Sequence, residues 1–248
     1  ILGINICATN IPEILKSIYT FIRSDEKHYV IIRDIHGLIQ AHNSEPVMKA
    51  HTRASLVVPD GMPLVWIGKL KGFKEIDRCY GPDLMLAVMK ESVKNGYRHF
   101  FYGGKPGVAE DLESIMEIKF PSVNVVGIYT PPFRPLNQAE EIELIALVSK
   151  VKPDIFWVGI STPKQEIFMH DYLSKLETKV MIGVGAAFDL HTRRIKQAPV
   201  WIQRSGFEWL FRIFQEPTRL WKRYLFVIPA FIFLYIQEIF KIKHSDTQ

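Results

Sequence analysis

Cysteine is almost missing from this chain. Only Cys7 and Cys79 occur in 248 residues, at no spacing used for a metal or a redox pair, which excludes a disulfide framework and points to a reducing compartment. Both read as small buried apolar residues. There is no H-E-x-x-H, no G-x-S-x-G and no Cys/His cluster, so zinc enzymes and serine hydrolases lose their usual support. No Walker A loop and no complete G-x-G-x-x-G fingerprint occurs. The N-terminus has no charged segment followed by a long apolar run, so no secretory signal is expected. Internal repeats and low-complexity stretches are also absent. Neither charge sign dominates: 31 Lys and Arg against 26 Asp and Glu leave a net charge of +5, a mild bias towards anionic partners such as phosphates, nucleic acid or an anionic membrane surface.

What is present is apolar and ordered. With 48% hydrophobic residues, the chain can bury one large domain, with or without an appendage. Apolar, β-branched runs at 29–33, 56–59, 99–102, 123–128, 154–159 and 179–183 are bounded by Gly, Pro or Asp and read as strands buried on both faces. Between them, helical spacing recurs at 46–55, 82–95, 106–119, 138–151 and 163–176. Proline near the start of four of these five fits the first helical turn, where its missing amide has no partner to lose. The alternation predicts an α/β fold: a Rossmann-like, mostly parallel sheet with helices on both faces, built by right-handed crossovers.

Composition changes after Pro199, which sets the expected boundary between a domain at 1–198 and an appendage at 199–248. Aromatic and aliphatic residues from Trp201 to Leu225 are interleaved with Arg204, Arg212, Arg219, Lys222 and Arg223, and an apolar run follows at 226–236. That run is shorter than the ~20 residues of a spanning helix and contains Pro229. It reads as an interfacial helix with aromatics at headgroup depth and arginines on lipid phosphates. A helical pair covering the sheet, or an oligomer interface, is the alternative.

Several strand-end loops could carry chemistry. Leu56-Val-Val-Pro-Asp60-Gly brings a strand straight to a carboxylate, at the sheet edge where open α/β folds bind ligands. Asp-Gly is also a common turn. Arg78-Cys-Tyr-Gly81-Pro-Asp83 sets a guanidinium before a glycine and a helix N-terminus, which suits phosphate, with Asp83 as the helix N-terminal carboxylate. Tyr102-Gly103-Gly104-Lys105 lets backbone approach a ligand. Gly183-Val-Gly185-Ala-Ala approaches a dinucleotide turn but lacks the ribose-binding acid in a following strand. Ser161-Thr-Pro-Lys-Gln165-Glu166 offers donors and acceptors for sugar hydroxyls, or simply a helix capped by Ser161 or Thr162. His36 and His42 flank the loop expected after the first strand, and each is more ordinarily structural than a base. The absence of any Asp-x-Asp speaks against a sugar-nucleotide transferase that holds its metal through that motif.

Val57-Val-Pro-Asp-Gly-Met-Pro, Tyr80-Gly-Pro-Asp, Phe101-Tyr-Gly-Gly, Gly159-Ile-Ser-Thr-Pro-Lys-Gln-Glu, Gly183-Val-Gly-Ala-Ala-Phe-Asp, Ala198-Pro-x-Trp, Gly206-Phe-Glu-Trp-Leu and Gln215-Glu-Pro-x-Arg occur in this order. Together they resemble the WecG/TagA/CpsF family of bacterial glycosyltransferases. The resemblance implies a Rossmann-like enzyme that moves a sugar from a UDP-sugar to a polyprenyl-diphosphate-linked saccharide, with inversion and without an essential metal or cofactor, in cell-surface polysaccharide synthesis. It implies Asp60 as general base, Gln165 as a sugar-binding residue, and Arg212, Arg219 and Arg223 as diphosphate or lipid contacts of a closing appendage. Arg78, Gly81, Gly103, Gly104, Glu166 and Gly185 complete the expected substrate-binding set. Where teichoic-acid members carry Thr-Pro-Asn after the first strand, Ala41-His42-Asn43 is taken to correspond. Asn43 is thus kept and the threonine lost, which leaves the transferred hexose open. The enzyme is expected to be peripheral, at the cytoplasmic face of the cell membrane, with no nucleic-acid partner and with self-association left open. A non-catalytic nucleotide-sugar-binding scaffold and an NAD-dependent oxidoreductase are the competing classes.

Overall fold

The computed structural model describes residues 1–245, with the side chains of Arg219 and of residues 241–245 outside the description. Asn10 accepts a hydrogen bond from the Glu13 amide and opens α1 (Ile11–Arg23), which buries Ile14, Ile18 and Ile22 at helical spacing. The chain then alternates. β1 (His28–Arg33) leads through α2 (Ile35–His42) and α3 (Glu45–Thr52) to β2 (Leu56–Pro59). Next come α4 (Met62–Leu70), α5 (Gly81–Asn95), β3 (Arg98–Gly103), α6 (Val108–Lys119) and β4 (Asn124–Tyr129). α7 (Gln138–Val151), β5 (Ile155–Gly159), α8 (Lys164–Tyr172), β6 (Val180–Gly183) and the short α9 (Ala187–His191) complete the body. α10 (Val200–Ser205), α11 (Glu208–Gln215) and α12 (Pro217–Ser245) follow it.

The six strands form one sheet in the order β2-β1-β6-β5-β3-β4, and every pairing is parallel. Successive side chains alternate between two cores, as a pleated strand requires. Val30 and Ile32 of β1 join α1, α5, α6 and α9 on one face. Tyr29 and Ile31 join α2, α3, α4, α7, α8 and α12 on the other. All six strands lie within a residue or two of their expected positions, and α7 coincides with the expected 138–151. Its start is fixed by a capping box in which Asn137 and Glu140 satisfy each other's amides.

Two expectations need correction. The first strand ends at Arg33 as expected, but Ala41-His42-Asn43 is not the loop that follows it. Asp34 caps α2 by accepting from the Gly37 amide at 2.8 Å, and Asn43 is the exposed C-cap of that helix. Asn43 therefore lies ~12 Å of helix away from the sheet edge. The apolar tail is also longer than the 226–236 run suggests. α12 continues through Pro229, and its Leu220–Phe240 portion, 21 residues with a mean hydropathy of 1.5, is long and apolar enough to cross a membrane by length and composition. One stripe of it, Leu220, Val227 and Phe231, is buried against the body, where α12 crosses α2. Glu238 also accepts a hydrogen bond from the Leu2 amide at 2.9 Å.

Candidate active site

A parallel sheet directs the loops after its strands to one edge, where helix N-termini also collect. There a cleft of about 730 Å³ opens over β2, β1, β6 and β5, with Asp60, Asp34, His36, Gln165 and the 183–187 turn among its lining residues. Lys105 and Phe133 reach it from the loops after β3 and β4, and Arg212, Glu216 and Arg223 reach it from α11, the turn after it and α12.

Asp60 follows the last residue of β2, and its amide bonds to the Arg33 carbonyl of β1 at 2.8 Å, so its backbone extends the sheet register. Arg78 holds it from behind. The Arg78 Nε donates to the Asp60 carbonyl at 2.6 Å and to Oδ1 at 3.2 Å, and Nη2 donates to the same Oδ1 at 3.1 Å. Both side-chain bonds fall on Oδ1, and Asp60 lines the cleft. Arg78 Nη2 also lies 2.6 Å from Glu208 Oε2 at the start of α11, and the guanidinium rests over the Tyr80 ring, 4.2 Å from its centroid. Burial pushes the Asp60 carboxyl up to about 6, Arg78 opposes the shift, and Glu208 and Asp34 add to it. One guanidinium is serving two carboxylates, and its shorter contact is with Glu208. Burial disfavours the charged form of Arg78 itself, but Asp60 and Glu208 outweigh that, so its pKa is raised. A carboxylate with a raised pKa in the lining of a cleft is suited to accept a proton near neutral pH.

A second charged group lies beneath the turns. Arg33 and Glu166, at 1% and 0% side-chain exposure, form a buried ion pair through Nη2 and Oε1. Thr162 Oγ1 and Gln165 Nε2 donate to the same Oε1 at 3.1 and 3.0 Å. Gln165 Oε1 in turn accepts from the Gly185 amide at 3.0 Å. The amide side chain is thereby oriented at both ends, and its second Nε2 hydrogen is what it can offer the cleft. Gly37 makes room for this arrangement: a Cβ there would stand 1.4 Å from Arg33 Nη1.

The family model "Glycosyl transferase WecG/TagA/CpsF family" matches residues 1–245. The chain belongs to this family. It is 28% identical over 239 residues to an N-acetylglucosaminyldiphosphoundecaprenol N-acetyl-beta-D-mannosaminyltransferase of Bacillus subtilis strain 168, covering 92% of this chain and 90% of that protein. A protein of the same name from Bacillus spizizenii is 30% identical over 180 residues, covering 72% of this chain and 67% of the relative.

In this glycosyltransferase the expected site residues do not all gather. Asp60, Gln165, Gly81, Gly185, Arg212 and Arg223 line the cleft. Arg78 stands outside the lining and is engaged by two carboxylates, Asp60 and Glu208. Glu166 is wholly buried and spent on Arg33, so the sugar-hydroxyl role expected of it is withdrawn. Ser161 and Thr162 do not cap α8, whose N-cap is Pro163. Gly103 and Gly104 lie outside the lining and are closely packed: a Cβ on Gly103 would stand 2.4 Å from the Gly159 carbonyl, and one on Gly104 2.8 Å from Val108. The residue after them, Lys105, is the one that reaches the cleft. Asn43 is remote, and the Arg219 side chain lies outside the described residues. Sequence reasoning did not assign Asp34, Lys105, Phe133, Arg194 and Glu208. Glu208 had a signal in the Gly206-Phe-Glu-Trp-Leu motif; Phe133, 94% exposed beneath Lys164, had none.

Proposed function

We propose that this glycosyltransferase moves a hexose from a UDP-sugar to a polyprenyl-diphosphate-linked saccharide with inversion and without a metal. The observation that carries the reading is Asp60: a carboxylate raised to about 6, held on one oxygen by Arg78, in a cleft that Lys105, Arg212 and Arg223 also line. The acceptor hydroxyl gives its proton to Asp60 as its oxygen bonds to the anomeric carbon, and the bond from that carbon to the UDP oxygen breaks on the opposite face. The departing diphosphate gains negative charge, which fixed cations stabilise in the role a metal fills elsewhere. The acceptor class comes from the two Bacillus relatives, whose names specify a diphosphoundecaprenol-linked sugar. Phe133 stands at the cleft rim as a platform for the uracil ring.

Residues 1–198 form the catalytic domain in this reading, and the appendage from 199 onward seats it on the cytoplasmic face of the membrane. α12 turns one stripe to the body and leaves Leu225, Phe226, Ile232 and Phe233 on the outside, each more than half exposed, the arrangement of an interfacial helix. Purified protein supplied with UDP-sugars and a lipid-linked acceptor should release UDP only when both are present, and EDTA should leave the rate intact. Full loss with EDTA, restored by manganese, would refute the metal-free mechanism; full turnover by Asp60→Asn would refute the base.

A further inference from the structure

Outside the cleft lies a second cavity of about 1030 Å³. Leu86 of α5 and Ile115 and Met116 of α6 give it an apolar floor, and Lys119, Arg193 and Lys196 put cations at its rim. The segment 190–197 divides it from the catalytic cleft, and Leu190 and Ile195 line both cavities. That dividing wall is pinned at three points. His191 bonds to the Pro82 carbonyl at 3.2 Å, Arg194 pairs with Asp111 at 2.6 Å, and Gln215 of α11 donates to the Lys196 carbonyl at 2.9 Å. Arg194 faces the cleft while Arg193 and Lys196 face the groove, so adjacent residues present positive charge on both sides of one wall. Beyond the wall the chain runs directly into Val200 and Trp201, 61% and 71% exposed.

We propose that this groove receives the first isoprene units of the acceptor, whose diphosphate crosses the 190–197 wall and whose saccharide lies in the cleft facing Asp60. The inference rests on the transferase reading above. An apolar trough with a cationic rim matches a prenyl diphosphate: hydrocarbon is removed from water on the floor, and the anion meets Arg194 on one side and Arg193 and Lys196 on the other. A free nucleotide would use the cations and leave the floor empty, and a bare hydrocarbon would leave the cations unused. The exposed Val200 and Trp201 give the rest of the chain a path towards a bilayer.

The test uses the full-length protein with two acceptors that share the saccharide diphosphate, one on a long prenyl chain and one on a short alkyl chain. Ile115→Trp fills the floor and should raise KM for the long-chain acceptor by about tenfold or more, because several buried hydrocarbon groups lose their place. KM for the UDP-sugar and turnover of the short-chain acceptor should not change. Lys119→Glu with Lys196→Glu, on the exposed rim, should raise KM for both acceptors and leave that for the UDP-sugar unchanged. In a second arm, a photoactivatable farnesyl diphosphate should label peptides from 108–119 and 190–197, inorganic diphosphate should compete, and farnesol should label weakly. Equal KM for both chain lengths in Ile115→Trp, or labelling confined to α12, overturns the groove. Absence of UDP release with every acceptor counts against the transferase reading instead, and the labelling arm then decides the groove alone.

Discussion

Asp60 carries opposite consequences for activity and for stability. Its folded pKa of about 6 lies above its ordinary value of 3.8, so between those pH values the folded protein binds more protons than the unfolded chain. Stability is therefore lost as pH rises through that window, while activity rises with ionisation if Asp60 is the base proposed above. Turnover should rise to a plateau through a midpoint near pH 6. Asp60→Asn should lower kcat by about 10²–10⁴-fold, and its Tm should exceed that of the parent protein at pH 8 and match it at pH 4. Equal Tm at both pH values would mean that the carboxylate is not raised. Phe133→Ala should increase KM for the UDP-sugar by about five- to a hundredfold, the range given by a single base–aromatic stack; calorimetric titration with UDP checks this without turnover. Asp60 was legible because a strand leads straight into Asp-Gly, and the 183–185 turn because its glycines follow one. Phe133 and Lys105 were not, because nothing local distinguishes a residue that meets the cleft only through tertiary packing.

At the scale of elements, strands were easier to read than the helices that join them. Fully buried parallel strands announce themselves as apolar runs, and proline marks several helix starts. α2 was missed because Gly37 and two histidines break its pattern. The reason for that glycine lies in space, since Arg33 occupies the volume a side chain would need. The misplacement of the first strand-end loop onto Asn43 follows directly, and Asp34 and His36 occupy that position in the fold. Glu166 shows a related limit: its sequence context suited either sugar binding or capping, and its actual partner lies 133 positions away. Glu166→Ala leaves Arg33 charged and buried, and should cost about 3–5 kcal/mol in urea unfolding. Replacing the pair together, Arg33→Met with Glu166→Leu, should recover most of that stability while turnover stays low, because Gln165 and the Gly185 amide lose their anchor.

For the whole molecule, the appendage has two faces of different exposure. Val227 and Phe231 belong to the core, at 6% and 5% exposure, whereas Phe226 and Phe233 are 70% and 62% exposed. Phe226→Glu with Phe233→Glu should abolish flotation with anionic vesicles and leave the unfolding free energy within about ±0.5 kcal/mol of the parent. Retained flotation would place the membrane contact elsewhere. Removing the segment altogether is a harsher change, since it also strips Glu208 from Arg78. That contact makes two equilibria reciprocal. If seating α11 raises the affinity of Asp60 for a proton, then a proton on Asp60 must tighten the seating of α11 by the same factor. Amide exchange in α11 should accordingly slow, beyond the intrinsic effect of pH, as the solution is acidified through pH 6, and the difference should vanish in Asp60→Asn. The ionisation of Asp60 and the docking of α11 are then one thermodynamic quantity read from two ends.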